Sequence, residues 1–473
     1  MPSSPSAQPE LRRGISTLSA LGINVIGMVG VGPFVTLPLI VVAMGGPQAM
    51  LGWLLGAALS LCDGMVWAEL GTAYPEAGGS YAYLSHLYGE KKWGRLFSFL
   101  YAWQLLFSSP LSMASGCIGF AQYISFFVPS SSHALVSTQL LGVPIILSGQ
   151  TLIAMAAVLT ALAVLYRSIV QIDKLVRWLG IAVVLTLLFI IFAGFTHFHP
   201  RLAFDFPAHA FHLDQAFFMG LGAGLLVAVY DYGGYYSVCF LGGEVREPQK
   251  TIPRAVIGSI LICATLYVLM NVSVLGVIPW REMLGERGLQ QRQFIMAVFI
   301  ERLYGHTAAS IMVLLIALAA LCSIFALLLS QSRIPFAAAR DGNFPRWFAA
   351  LHPKHRIPQH ALLALGGMTL LCCIFRLQEV ISTLIVVRIL FQFLLQGIAV
   401  MLPKHREQRK RSGFRMPLYP LPALLAIGGF VFILLSRPNF HREVRVAALI
   451  LVVGASVYFA RGRRSAAGQD LIP

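Results

Sequence analysis

The chain has 473 residues, 57% of them apolar and only 11% charged, with a formal net charge of +16 and a mean hydropathy of +0.75. Soluble globular domains carry roughly 25% charged residues, so the composition excludes an ordinary water-soluble enzyme. The basic excess sits in short loops between apolar runs rather than on one patch, which argues against nucleic acid as a partner and for the lipid bilayer.

In chain order, a polar Met1–Glu10 tail leads into twelve apolar runs near 15–44, 49–74, 95–128, 145–166, 175–196, 215–241, 253–279, 305–331, 359–376, 379–402, 416–436 and 444–460. Each is about the length a membrane-crossing helix requires. No small-residue cleavage site follows the first run, so a removable signal peptide is not expected. With the N-terminus in the cytoplasm, most Lys and Arg residues fall on the cytoplasmic side. They include Arg12, Arg13, Lys91, Lys92, Arg95, Arg167, Lys174, Arg177, the 333–356 loop, the 404–415 cluster and the stretch from Arg461 to Arg464. Positive charge in short loops orients membrane proteins. A multi-pass protein of the cell membrane with both termini inside is therefore expected. The seven cysteines lie within apolar runs without metal-ligand spacing, and His197, His199, His209 and His212 are irregularly spaced, so no metal or other cofactor is expected.

Two runs are interrupted. Gly27, Gly30, Gly32 and Pro33 crowd into the first, and Gly233-Gly234 divides the sixth within YDYGGYY. Glycine and proline weaken a helix interior; taken singly, either site is equally a close-packing contact between helices. As a pair they lie five spans apart, an odd number, so the second copy enters the membrane from the opposite side. Broken helices at matching positions of inverted repeats mark the substrate site of secondary transporters. An unwound turn frees N–H groups at one half-helix end, which suit a carboxylate, and C=O groups at the other, which suit an ammonium. That pair of poles fits a zwitterion of amino-acid form. The expected substrate-binding residues are Val29, Gly30, Gly32, Tyr230, Asp231, Gly233, Gly234 and Tyr235, with the two tyrosines as aromatic walls.

A charge at membrane depth costs at least about 2.5–3.5 kcal/mol, so the ionisable residues within spans need a reason. Asp231, beside the second break, is either a proton carrier or a structural hydrogen-bond partner of unwound backbone. Arg388 calls for an acidic partner; if that is Asp231, the pair is a gate latch. Asp63 is a network residue toward the cytoplasm, or else a coupling group. Glu69, nearer the inner interface, suits a gate or a helix cap.

At these residues the sequence resembles the amino acid–polyamine–organocation transporter superfamily, over about residues 15–460. GVGPF (Gly30 to Phe34) resembles the family's first-span break, AELGTAYPEAGGSYAY (Ala68 to Tyr83) its stretch after span two, and YDYGGY (Tyr230 to Tyr235) the sixth-span break of the L-type amino acid branch. GEVREPQKTIPRA (Gly243 to Ala255) and RIPFAAARDGNFP (Arg333 to Pro345) are similar to its loops after spans six and eight. The resemblance implies an all-α polytopic membrane protein of the leucine-transporter-like fold: twelve transmembrane helices, as two inverted five-helix repeats plus two. The units would be a 1–14 tail, a first repeat at 15–196, a second at 215–402, spans eleven and twelve at 416–460, and a 461–473 tail. Within the loops, Pro253 reads as a first-turn proline of span seven and Gly78-Gly79 as a tight turn after span two.

The resemblance implies alternating-access transport of amino acids, with a coupling proton as a candidate partner. A polyamine or organic cation is the alternative substrate. Leu37, and Tyr235-Tyr236 in the sixth-span break, stand where the polyamine branch carries acidic residues or a Trp-Asp pair, although Asp63 matches a third acidic position. Span five has no lysine to replace a sodium ion. An intramembrane aspartyl protease is a remote alternative: Tyr230-Asp231 and Pro422-Ala423-Leu424 match two of that family's motifs, but the third is absent. A channel would want a ring of repeated pore-lining residues, and none is visible.

Overall fold

A computed structural model describes residues 13–469 apart from 77, 90–92, 141–142, 168, 285–291, 353–357, 410–412 and 438–439, with backbone only at 140, 143–144, 166–167, 169–179, 329 and 461–469. Met1–Glu10, Arg12, Lys91 and Lys92 thus lie outside the described residues. So do the side chains of Arg167, Lys174, Arg177 and Arg461 to Arg464, and parts of the 333–356 and 404–415 loops.

The first run is two helices, α1 (Thr17–Met28) and α2 (Gly32–Met44), bent 48° across a three-residue break. Ser16 caps α1 by accepting from the Ser19 N–H, and Gly45 ends α2 with a φ of 75°, a left-handed stop that suits glycine. Next come α3 (Met50–Ala73), the short α4 (Ser80–Tyr88) and α5 (Trp93–Ile124). Gly78 and Gly79 turn the chain between α3 and α4 with φ of 106° and 54°. An antiparallel hairpin, β1 (Ala134–Leu140) and β2 (Val143–Ser148), precedes α6 (Gly149–Arg167) and α7 (Ile169–Thr196). The fourth run therefore does not start as helix at 145. Val143-Pro-Ile-Ile pairs as a strand, which β-branched residues and a proline favour over a helix interior.

After a short helix α8 (Pro200–Ala203), the sixth run divides as the first does. Its parts are α9 (Gln215–Tyr232), a break at 233–236 and α10 (Ser237–Phe240). Asp214 caps α9, accepting from the Phe217 N–H at 2.8 Å. The next helix, α11 (Pro248–Leu275), starts five residues before Pro253. Pro248, not Pro253, takes the first-turn place where a missing N–H is harmless, and Pro253 lies inside the helix. A longer helix, α12 (Ile295–Gln331), begins before the predicted 305. Gly305 (φ 81°, ψ 176°) kinks it there, and the preceding turns carry Arg302, paired with Glu282 at 2.6 Å. The chain closes with α13 (Arg333–Arg340), α14 (Gln359–Cys372), α15 (Leu377–Arg388), α16 (Leu394–Ala399), α17 (Pro403–Arg409), α18 (Leu421–Leu435) and α19 (Phe440–Gln469). A π-helical turn, Ile389–Phe393, joins α15 to α16 directly after Arg388.

Each of the twelve apolar runs contains helix. Among the described residues six helices are long and apolar enough to cross a membrane, or seven counting the bent α1–α2 pair. The apolar parts of α6, α7, α14 and α18 are shorter, and α5 is diluted by serines, Gln104 and Pro110. The chain is a mostly helical, multi-pass membrane protein. Its interior is dominated by aromatic side chains where α3, α9 and α11 meet. There Trp53 packs edge-on against Tyr232 and Tyr267, with ring centroids 6.1 and 5.7 Å apart.

Candidate functional site

The two breaks face each other. An added Cβ at Gly234 would lie 2.6 Å from the backbone carbonyl carbon and oxygen of Gly27, and Gly234 has a φ of 129°. Only glycine meets both demands. Asn24 of α1 ties the halves together, donating to the Tyr235 carbonyl at 2.5 Å and accepting from the Val238 N–H at 2.9 Å. On the other side of the breaks, Thr36 of α2 donates to Asp231 Oδ2 at 2.6 Å. Gly32 makes room for that carboxylate, since a Cβ there would collide with Asp231 Oδ1.

Between the breaks lies a small cavity of about 50 Å³. Gly30, Gly32, Tyr230, Asp231, Gly233 and Gly234 line it, together with Arg388. The structure thus gathers six of the eight expected substrate-binding residues around one space. Ser112 of α5, Ser237 of α10 and Ser323, Ser330 and Gln331 of α12 add polar side chains to the wall, and Gly116 of α5 lines it as well. The Tyr230 hydroxyl is fixed by Ser115, to which it donates at 2.8 Å. As the first residue of α2, Gly32 offers a backbone N–H with no carbonyl available to it within the helix. The cavity extends along α12 to its C-terminal end at Gln331.

Val29 and Tyr235 are not in the lining. Val29 is buried against the protein interior. Tyr235 turns away to donate its hydroxyl to Asp63 Oδ2 at 2.5 Å, and Asp63 is likewise outside the cavity wall. The aromatic wall at that point is instead Tyr236, stacked on Trp67 with centroids 4.8 Å apart and planes 20° from parallel. In an unwound segment the helical period no longer fixes which of two adjacent tyrosines faces inward.

Arg388 corrects the expectation of an acidic partner. Among the described residues no carboxylate lies within ion-pair distance; Nη1 donates to the Tyr236 hydroxyl at 2.9 Å. The latch with Asp231 is therefore not formed. Asp231 Oδ1 has no hydrogen-bond partner among the described residues. Glu69, by contrast, is fully buried and saturated. Its carboxylate meets His405 Nε2 at 2.8 Å, Arg409 Nε at 2.9 Å and the Met416 N–H at 2.5 Å. That set ties the end of α3 to α17 and the segment after it.

What the arrangement can do chemically is hold a small polar solute at two interrupted helices, with backbone poles, a carboxylate and a guanidinium in reach. The chain is similar to known proteins along most of its length. The profile of a family described as "Amino acid permease" matches residues 15–456. The serine/threonine exchanger SteT of Bacillus subtilis is 26% identical over 468 residues, covering 96% of this chain and 98% of that one. The branched-chain amino acid permease BcaP of Lactococcus lactis is 26% identical over 462 residues, covering 94% and 93%. An uncharacterized transporter of Mycobacterium tuberculosis is 29% identical over 364 residues, covering 76% and 73%.

Proposed function

The chain belongs to the amino acid permease family, and from that premise we propose that it carries an amino acid across the cell membrane by alternating access. As an amino acid transporter it is not an enzyme, and the aspartyl-protease alternative is withdrawn. The reading extends the fold to twelve membrane helices: inverted repeats at 15–196 and 215–402, two further spans at 416–460, and both terminal tails in the cytoplasm. The observation that carries it is the meeting of two broken helices at one polar cavity.

In this reading the substrate carboxylate lies at the opening turn of α2 and its ammonium near the end of α9, beside Asp231. Gly30, Gly32, Gly233 and Gly234 present backbone, and Tyr230 and Tyr236 form the walls. The cavity's extension to Gln331, at the inner end of α12, corresponds to a state facing the cytoplasm. Asp231 is the coupling candidate: a proton taken up while the site faces outward and released once it faces the cytoplasm would drive accumulation. Asp63, bonded to Tyr235 just behind the second break, could move with that break without touching substrate. A polyamine is opposed by Arg388, whose positive charge faces the cavity.

The test is uptake of radiolabelled amino acids into liposomes holding the purified protein. Saturable accumulation of at least one amino acid, lost in Gly233→Leu while the variant still inserts and folds, is the expected result. Uptake of polyamines alone would overturn it.

A further inference from the structure

Arg388 is 8% exposed and lines the cavity, yet among the described residues its one side-chain hydrogen bond is to the Tyr236 hydroxyl. A guanidinium presents five N–H donors in a planar fork suited to a carboxylate. Tyr236 cannot neutralise it, but the stacking of Tyr236 on Trp67 holds the hydroxyl in place and so fixes the fork. The main chain contributes as well. Arg388 is the last residue of α15, directly before the π-helical turn, and π turns are frequent at functional sites.

The other formal charge in the wall is already assigned. Asp231 accepts from Thr36 and abuts Gly32 at the first break, and it does not pair with Arg388. Burying an unpaired cation is costly, so a cavity that keeps one free is built for an anion that arrives with the solute. In the functional reading above, on which this inference rests, the breaks meet the α-carboxylate and the α-ammonium. Arg388 is then surplus to a neutral amino acid.

We propose that the substrate is an acidic amino acid whose side-chain carboxylate is held by Arg388, with Tyr236 as the positioning residue. The fork takes both carboxylate oxygens.

The experiment compares isosteric pairs, L-glutamate with L-glutamine and L-aspartate with L-asparagine, in liposomes containing the full chain. The expected result is uptake of the acids about tenfold or more above their amides, because a site built around a charged partner rejects the analogue lacking it. Arg388→Gln should erase that ratio, lowering acid uptake by a larger factor than amide uptake. Tyr236→Phe should lower the ratio by a smaller factor, acting through the orientation of Arg388. Preferred uptake of amides by the unaltered protein overturns the proposal. So does an equal loss of acid and amide uptake in Arg388→Gln, which would place the α-carboxylate on Arg388. If that variant does not fold, thermal stabilisation of the unaltered protein decides: greater stabilisation by glutamate than by glutamine supports the assignment, and the reverse sinks it. Failure of every amino acid to be taken up would overturn the transport reading itself, whereas uptake of neutral amino acids alone overturns only this inference.

Discussion

Glu69 and Asp231 are both buried carboxylates at helix positions, yet their surroundings differ in kind. Glu69 is met by a histidine, an arginine and a backbone N–H. Asp231 is met by one threonine hydroxyl and keeps an oxygen without a partner, next to the cavity. A saturated charge locks one arrangement, because every alternative leaves something unpaired. An unsaturated charge beside a cavity has room to take a further partner. The two regions thus differ in kind: one end of α3 is a fully partnered joint, and the facing breaks, in the proposed function, are the part that exchanges partners.

The sharpest way to break that contrast is to cut the joint. Glu69→Ala leaves the buried His405 without its carboxylate and takes one partner from the quarter-exposed Arg409, a loss of about 3 kcal/mol. It should show as a fall in thermal midpoint in detergent and as reduced membrane yield. An unchanged midpoint would mean that the joint is not structural. Next in size is Gly234→Ala, which adds a strained φ and drives a methyl into the Gly27 carbonyl. The expected cost is about 1–3 kcal/mol, together with loss of uptake. Wild-type uptake in this variant would contradict close approach of the two breaks during transport.

The breaks were legible in the sequence because glycine and proline act on the backbone directly, wherever the helix lies. The runs themselves were legible because lipid demands apolar length. Other features left no such mark. The inward face passed from Tyr235 to Tyr236 because an unwound segment has no period to extrapolate. Residues 145–148 read as helix because a short apolar run has the same composition in a strand. Pro253 was displaced from the first turn because α11 reaches back through the polar EPQKT segment, whose helix is set by Pro248 and not by hydrophobicity. Ser112 and Ser323 came into the cavity wall from helices whose serines look alike in the sequence, and only packing distinguishes those facing the cavity.

Asp231→Asn tests the other half of the contrast. Because Asp231 makes a single side-chain hydrogen bond that an amide oxygen can also accept, the stability change should stay within about 1 kcal/mol. Dependence of uptake on an imposed pH gradient should disappear while substrate binding persists. A variant that still concentrates substrate in response to the gradient would rule out Asp231 as the proton carrier. Neutralising Arg388 should not repair it, since the two charges are not paired.

The smallest effect is expected at a third carboxylate, Glu76, in the turn between α3 and α4, where saturation is partial and water competes. His86 bonds both of its oxygens at 3.2 Å and stacks on Tyr74 with ring centroids 5.1 Å apart. The His86 hydrogen bond holds the Glu76 carboxyl below its ordinary value. A carboxyl depressed in the folded state contributes stability above its unfolded pKa and loses it as pH falls through the folded one. With both side chains partly exposed, solvent screening limits the contribution to about 0.5 kcal/mol or less. His86→Phe keeps the stacking and removes the hydrogen bond. Its thermal midpoint should fall slightly below that of the unaltered protein at neutral pH, and the gap should close as Glu76 protonates in acid. A gap that stays constant down through the carboxylate range would assign the contact to the ring alone, and would limit the influence of saturation on stability to charges that are buried.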